Sequence, residues 1–519
     1  MPNDSHDSIE LMVDGRAVVV GNSGASLLEV LRDQLGIVSV KDGCSPQGQC
    51  GCCTVLVDGQ PRVSCVTPAR RVRGREITTV DGLDASVAEK WAEAFHSTGG
   101  SQCGFCTPGI ICRFEGLRSS GVDPSDRGAA AKALQAHLCR CTGWQTVLDA
   151  WSAFGTSPGT DRTSSSQDSA RRAEIEGGSP QTVDPAVALG RGGFADDAAP
   201  SDALIAFRVT GESEWAVAEN QSDARLAAGK VQGRRTTGDW GHPLEVPPGD
   251  WDLVLATTWV EPAYLETDAS WCLPGGAPAS PVANGGAFGS KSGSEVGDVA
   301  RRLADEYGRP VRAMYAREDA VRHGAKRPPM AAGLMRDGSG VVRVVATPGI
   351  SDAIHSMLPK VRVEEVVVPG PPTSAHVRGA GWVEAAVLSA GLRGDVGWID
   401  GPSGGSATAD VRPDGSIAAE VRCGPPLDEV VLRSYCIGAA HMALSWVTSE
   451  SLSVDGQGQV HDLTIRSFGV LRAVDTPHFD VRIHHDEGPS VNGSDAVFAA
   501  VAAAVWLDLG LPSRWPHTL

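Results

Sequence analysis

Positive charge is in short supply in this 519-residue chain: Lys+Arg 45 stand against Asp+Glu 63, a net charge of −18. That balance argues against nucleic acid or an anionic membrane surface as the main partner. Long apolar runs are missing as well. The longest, Val497 to Leu507, is too short to cross a bilayer and reads as a helix buried on all sides. The start, Met1-Pro-Asn-Asp-Ser-His-Asp, has no basic residue followed by an apolar stretch. No secretory leader is therefore expected, and a reducing cytoplasm is the expected compartment. Disorder is excluded by the 41% of hydrophobic residues, which leave ample material for cores in about two to four domains.

Cysteine is not scarce, and its placement is uneven: ten of the thirteen fall in the first 141 residues. Eight form two sets, Cys44, Cys50, Cys53 and Cys65, then Cys103, Cys106, Cys139 and Cys141. Four thiolates are what a [2Fe-2S] cluster needs, and the run Gly43 to Cys53 follows the plant-type ferredoxin spacing with one extra residue in its first gap. The alternative for any Cys-x-x-Cys is zinc or a redox dithiol. Against it stand three cysteines inside ten residues of a glycine-rich loop, with a fourth on a strand. The second set pairs Cys-x-x-Cys with Cys-x-Cys, a spacing unusual for zinc. Cys52 reads as a buried bystander, because Cys50-x-x-Cys53 has the expected gap. Cys112, Cys272, Cys423 and Cys436 lack ligand spacing and read as small core residues.

Patterning organises the rest. Ile9 to Val13, the Asp14-Gly15 turn and Ala17 to Val20 predict a hairpin, and Ser26 to Glu29 a capping box opening a helix with Leu27, Leu31 and Leu35 on one face. Thr54 to Val57 and Arg62 to Cys65 predict a second hairpin. Thr107 with Pro108, and Thr142 with Gln145, predict helix starts directly after the two cysteine pairs, where the partial positive charge of a helix N-terminus would stabilise thiolates. Residues 156–181 read as a flexible linker. Beyond it, strand-like runs such as 253–260 and 361–368 alternate with helical ones such as 298–307. Adjacent His484 and His485 point to opposite faces of a strand and suggest a polar edge rather than a metal site.

Both cysteine motifs, in this order and on these two units, resemble the iron-sulfur module of the molybdenum hydroxylases, the xanthine dehydrogenase and aldehyde oxidase family. The resemblance covers nearly all of residues 8–154. It implies an α+β multidomain chain: a β-grasp ferredoxin-like domain (1–82), a small helical-bundle [2Fe-2S] domain (83–155), and, past the linker, an abridged α/β molybdopterin-dehydrogenase-like domain (182–519). In that family the first cluster lies outward, near the flavin or other acceptor, and the second close to the molybdopterin. Gln102 matches the loop glutamine that faces the pterin. Asn284 to Lys291 is similar to the family loop Gly-Gly-Gly-Phe-Gly-Gly-Lys, which implies that Gly285, Gly286, Phe288 and Gly289 approach the cofactor. Arg309 to Glu318, with Lys326-Arg327, is similar to a strand and turn that follow that loop. Pro371 to Gly379 is similar to the segment whose arginine, here Arg378, reaches the active-site rim.

The same comparison exposes departures. The family places a glutamate as general base in a Gly-Val-Gly-Glu context. Here the corresponding place reads Val491-Asn-Gly-Ser-Asp495. Asp495 is either a shortened base or the N-cap of the apolar helix. The cap is preferred, since one methylene less displaces the carboxylate by roughly 1 to 1.5 Å and errors of about 1 Å cost on the order of a hundredfold in rate. Trp271 to Pro278 passes almost at once to Gly285, where the family inserts a longer segment, and the flavin domain is missing. These deletions weigh against molybdopterin in this chain without removing it from the alternatives. The expected role is the electron-transfer subunit of a molybdenum hydroxylase-type complex, partnered by a catalytic molybdopterin subunit and a flavin or other electron-acceptor protein. A self-contained enzyme oxidising aldehydes or N-heterocycles, with Asp495 and Arg378 catalytic, and a non-catalytic redox sensor or scaffold are the alternatives.

Overall fold

Alternation of apolar and polar residues builds the first hairpin. Ile9, Leu11 and Val13 are buried along one face of Ser8–Val13, which pairs antiparallel with Arg16–Gly21. The computed structural model describes residues 8–21, 24–156, 164–231, 233, 238 and 240–517. The hairpin joins Glu76–Thr78, Thr54–Val57 and the edge strand Gln60–Val63 in a five-stranded sheet, mixed because Ser8–Val13 runs parallel to Glu76–Thr78. The Ser26/Glu29 capping box forms in both directions, and the helix it opens continues as a π-helix over Val30–Gln34, burying Leu27, Leu28, Val30 and Leu31.

The helices Ala85–Thr98, Thr107–Ser119, Arg127–Ala133 and Gln145–Ala153 follow. They close on an aromatic core in which Trp91 stacks on Trp151 at 6.1 Å and meets Phe114 at 5.8 Å, its indole N–H donating to Glu115 at 3.0 Å. Two expected caps do not form. Thr107 is the first residue of its helix, not the cap, and its hydroxyl pairs with Ser101 at 3.0 Å. Ahead of Gln145–Ala153 stands Trp144 at φ 65°. Thr142 Oγ1 instead sits 3.1 Å from Cys139 Sγ, and the Gln145 amide brackets the backbone of Phe479, accepting at 2.8 Å and donating at 2.9 Å. The neighbouring cysteine took Thr142 from the helix start, and a strand end delivered by tertiary folding took Gln145.

The expected linker is corrected over its described part; residues 157–163 lie outside the described residues. Ser165 caps a helix, Ser166–Gly177, whose Arg172 is fully buried. Arg172 pairs with Glu176 at 2.9 Å and donates to the carbonyls of Pro425, Pro426 and Val491, while Glu176 accepts from the N–H groups of Gly493 and Ser494. A polar sequence reads as a linker, but here Arg172 and Glu176 make it a clamp, while Ser179 Oγ and Gln181 Oε1 are buried without a hydrogen-bond partner among the described residues.

Three four-stranded sheets build the second half. Their orders are Trp215–Ala218, Leu204–Arg208, Val311–Met314, Ala269–Cys272; Val361–Val366, Gly340–Val345, Met330–Leu334, Leu253–Ala256; and Ile399–Asp400, Ser406–Val411, Ile417–Arg422, Phe479–His484. The strands at 253 and 361 and the helix Val296–Tyr307 fall where patterning predicts. Helix Ser494–Asp508 is buried from Ala496 through Trp506, as its apolar run demands. It packs against Glu429–Thr448, a helix apolar and long enough to cross a membrane but with 89% of its apolar window buried in protein. The first half's core runs on into the second through Trp259, Ala263, Leu265 and Leu452, so the cysteine loops are enclosed by both halves.

Candidate functional site

The first loop folds its sulfurs inward because its backbone bends at positive φ: Ser45 at 46°, Gly48 at 69° and Gly51 at 73°. Gly43 packs tightly against the sulfurs: a Cβ there would lie 3.0 Å from Cys50 Sγ and 3.1 Å from Cys52 Sγ and push them aside. The thiol of Cys44 meets those of Cys50 and Cys65, and Cys65 also meets Cys53. Hydrogen bonds from its neighbours' thiols hold Cys44 well below the usual thiol range, and the Gln47 N–H adds another at 3.1 Å. Cys44, Cys50 and Cys53 are 1% exposed and Cys65 5%.

The second set lies where Thr107–Ser119 begins. Cys103 and Cys141 sulfurs stand 3.7 Å apart, and Cys106 meets Cys139. The Cys106 thiol, with Thr142, holds Cys139 down to about 6. For metal–thiolate bonds of about 2.3 Å, the edge of a tetrahedron is about 3.8 Å, so the Cys103–Cys141 pair spans one edge about a metal. Among the described residues, no group of three or more His, Cys, Asp or Glu closes round a single ion position. Four thiols in mutual contact per set, rather than four round one ion, is a donor set that suits a binuclear centre. The sets are adjacent: the Leu138 N–H donates to the Cys50 carbonyl at 2.9 Å, linking a first-set cysteine to the residue before Cys139. Cys52, 1% exposed, lies in the same gap, close enough for its thiol to feel Cys44, Cys53 and Cys139.

The second half grips these loops through contacts that the sequence did not reveal, two of them made by Arg317 and Asn284 of the family-like segments. Arg140, between Cys139 and Cys141, forms a bidentate pair with Glu450 at 2.5 and 2.7 Å, both side chains buried. Arg317 donates to the carbonyls of Gly43, Tyr264 and Leu265, and Asn284 to that of Cys103 at 2.7 Å. Gln47 spans Leu463 and Ile465. An arginine flanked by two cysteines was a local signal for Arg140. The others have none, because their partners lie hundreds of residues away.

Gln102, Gly285, Gly286 and Phe288 do converge, with Cys103 and Cys141, on one cavity; Gly289 is off its wall, where a Cβ would lie 2.2 Å from the His376 carbonyl. The cavity holds about 60 Å³. That is room for a few waters, whereas sites for cofactor-sized ligands run to about 300–1,000 Å³. Of its polar groups, Gln181 Oε1, Glu266 Oε1 and the Tyr435 hydroxyl are buried without a hydrogen-bond partner among the described residues, whereas Gln102 donates to the Cys141 carbonyl and Ser434 Oγ at 2.9 and 3.0 Å, and Lys291 to Glu266 at 2.6 Å. Burial pushes Glu266 up to about 7 even so. Arg378 and Asp495 sit behind Phe288, the guanidinium 4.8 Å from its ring and 3.2 Å from the carboxylate. Asp495 is thus an ion-pair partner and not the expected cap; Gly493 precedes the helix and Asn492 Oδ1 accepts from the Asp495 N–H. The cysteine sets fit iron-sulfur clusters, whereas a cavity of about 60 Å³ is too small for a pterin. His484 and His485 pair with different carboxylates, Glu420 and Glu429, as adjacent strand positions should.

Residues 79–152 match the family of the [2Fe-2S] binding domain. The aldehyde oxidoreductase of Megalodesulfovibrio gigas is 44% identical over 130 residues, which cover 24% of this chain and only 14% of that protein. The nicotinate dehydrogenase small FeS subunit of Eubacterium barkeri is 36% identical over 139 residues, 26% of this chain and 87% of that one. The chain belongs to the molybdenum hydroxylase family of xanthine dehydrogenase and aldehyde oxidase-type oxidoreductases. Its cofactors are two [2Fe-2S] clusters. Family likeness extends to the second half in fold alone: the aldehyde oxidoreductase structure from Desulfovibrio gigas superposes with a TM-score of 0.69 over 98% of both chains at 16% identity. The sequence matches lie in the iron-sulfur part, which in family relatives such as the nicotinate dehydrogenase protein is a separate small subunit.

Proposed function

We propose that this chain is the iron-sulfur electron-transfer component of a molybdenum hydroxylase-type complex. Cys44, Cys50, Cys53 and Cys65 hold an outer cluster, and Cys103, Cys106, Cys139 and Cys141 an inner one. When bound, each cluster takes up and releases one electron at a time. The protein supplies the rest. It buries the sulfurs, bars water with Phe105, His137 and Cys52, and joins the two sets by the Leu138–Cys50 hydrogen bond. The second half, pterin-type in fold, braces both loops through Arg140–Glu450, Arg317 and Gln47. Electrons then come from a molybdopterin-bearing partner subunit, and a separate flavin or other carrier takes them. Thirteen free cysteines suit a reducing cytoplasm.

The observation that carries this reading is the pair of four-thiol sets beside a cavity of about 60 Å³. Metal analysis of the purified chain tests it. About four irons per chain without molybdenum, and two paramagnetic centres after dithionite, are expected. Near-stoichiometric molybdenum overturns it in favour of a self-contained dehydrogenase of aldehydes or N-heterocycles, the reading that the whole-chain fold match supports. That rival asks Asp495 to act as base while it faces Arg378 at 3.2 Å.

A further inference from the structure

Residues 59–75 hold five arginines, Arg62, Arg70, Arg71, Arg73 and Arg75, and no acidic residue, in a chain whose net charge is −18. The segment runs from the edge strand Gln60–Val63 through the turns Ser64–Val66 and Ala69–Val72. Arg62, Arg70, Arg71 and Arg73 are exposed, and among the described residues none of the four makes a side-chain hydrogen bond or ion pair; only Arg75 is tied, to Asp58 at 2.6 Å. Elsewhere arginines are spent on structure, as Arg32, Arg140, Arg172 and Arg327 show.

The segment carries the outer set's fourth thiol, Cys65. Cys65 is the least buried thiol of that set, and its neighbour Val66 is 53% exposed, a small apolar spot among unpaired cations. The second half holds the same cysteine loop through Arg317 on the Gly43 carbonyl, the Leu463 carbonyl on Gln47 and Arg466 on the Gln49 carbonyl. Unpaired charges beside a redox centre contribute nothing to stability but steer encounter, raising association rates by about 10- to 1,000-fold when the partner carries the complementary charge. We propose that the Arg62–Arg75 rim over Cys65 and Val66 is the docking surface for an acidic one-electron carrier protein. This rests on the relay reading and names the class of acceptor: a protein with a carboxylate-rich face around its own redox group, receiving one electron from the reduced outer cluster with no proton transferred.

The test uses ferric cytochrome b5, an acidic haem carrier, as probe and basic cytochrome c as contrast. Affinity and haem reduction by the dithionite-reduced protein are measured at about 20 and about 200 mM salt. Cytochrome b5 is expected to bind and be reduced at least about tenfold faster at low salt, and Arg70→Glu/Arg71→Glu/Arg73→Glu to abolish that advantage. Arg301→Glu/Arg302→Glu/Arg336→Glu, exposed positions of the second half, make the same charge change and are expected to keep most of it. Equal behaviour of the two triple variants overturns the proposal, as does tighter binding of cytochrome c or of duplex DNA. A chain without cluster absorbance sinks the relay reading instead, and the binding arm still decides the surface.

Discussion

Around the cysteine loops of the first half, polar groups are turned toward sulfur: the Gln47 N–H reaches Cys44 and Thr142 Oγ1 reaches Cys139. Around the glycine loop of the second half the same kinds of group are turned toward each other, Gln102 to Ser434, Lys291 to Glu266, Arg378 to Asp495. Both regions keep the family's fold, yet only the first presents sets of thiols; among the described residues the second leaves no more than scattered polar atoms unpartnered, Gln181 Oε1, Glu266 Oε1 and the Tyr435 hydroxyl included. A cofactor site survives where donors are left unsatisfied by the protein alone. Where they find internal partners, the loop persists as packing, with Phe288 filling the room that a ligand would need.

The largest test of that contrast is in the first half. Cys106→Ala is expected to lower iron from about four to about two per chain and erase one of two paramagnetic signals; Cys53→Ala should erase the other. Undiminished iron in either variant would break the ligand assignment. Next comes the brace between the halves. Arg140→Ala leaves the Glu450 carboxylate buried and unpaired, and urea unfolding should show a loss of about 3–5 kcal/mol. A loss below about 1 kcal/mol would mean that the second half merely covers the inner set.

A smaller effect is pH-dependent. His441 is fully buried, its Nε2–H donates to the Leu471 carbonyl at 3.2 Å, and burial lowers it to about 3. Its folded value lies below the unfolded one of about 6.5, so the unfolded chain binds the extra proton and stability falls as pH drops below about 6.5. From pH 7 to pH 5 this amounts to about 2 kcal/mol, and His441→Gln should remove that much of the acid slope in thermal melts. The smallest effect sharpens the cysteine assignment: Cys52→Ala should keep about four irons and cost about 1 kcal/mol, the scale of one small core residue. Lost iron would make Cys52 a ligand in place of a neighbour.

Much of the first half was legible because its information is local. Cysteine spacing, the Asp14-Gly15 turn and the Ser26/Glu29 box each act within a dozen residues, and the structure shows the hairpin and the box as read. Local signals failed where a polar side chain had a choice. Thr142 and Gln145 spell a capping box, but Cys139 and Phe479 outcompeted the helix start. Ser166–Gly177 looks like a linker because its polar residues have no local partner, and its partners, Pro425, Val491 and Ser494, arrive only on folding.

Spacing along the chain determined that eight thiols could close into two sets and that a helical unit follows a small sheet, since short loops bring near residues together whatever else happens. Tertiary structure alone decided that Arg140 meets Glu450 across 310 positions and that the space shared by the glycine loop and the second cysteine set is only about 60 Å³. Hydrogen bonds and ion pairs in the interior go to whichever partner packing delivers, and a cavity is the space that packing leaves over. Neither quantity is carried by any single segment.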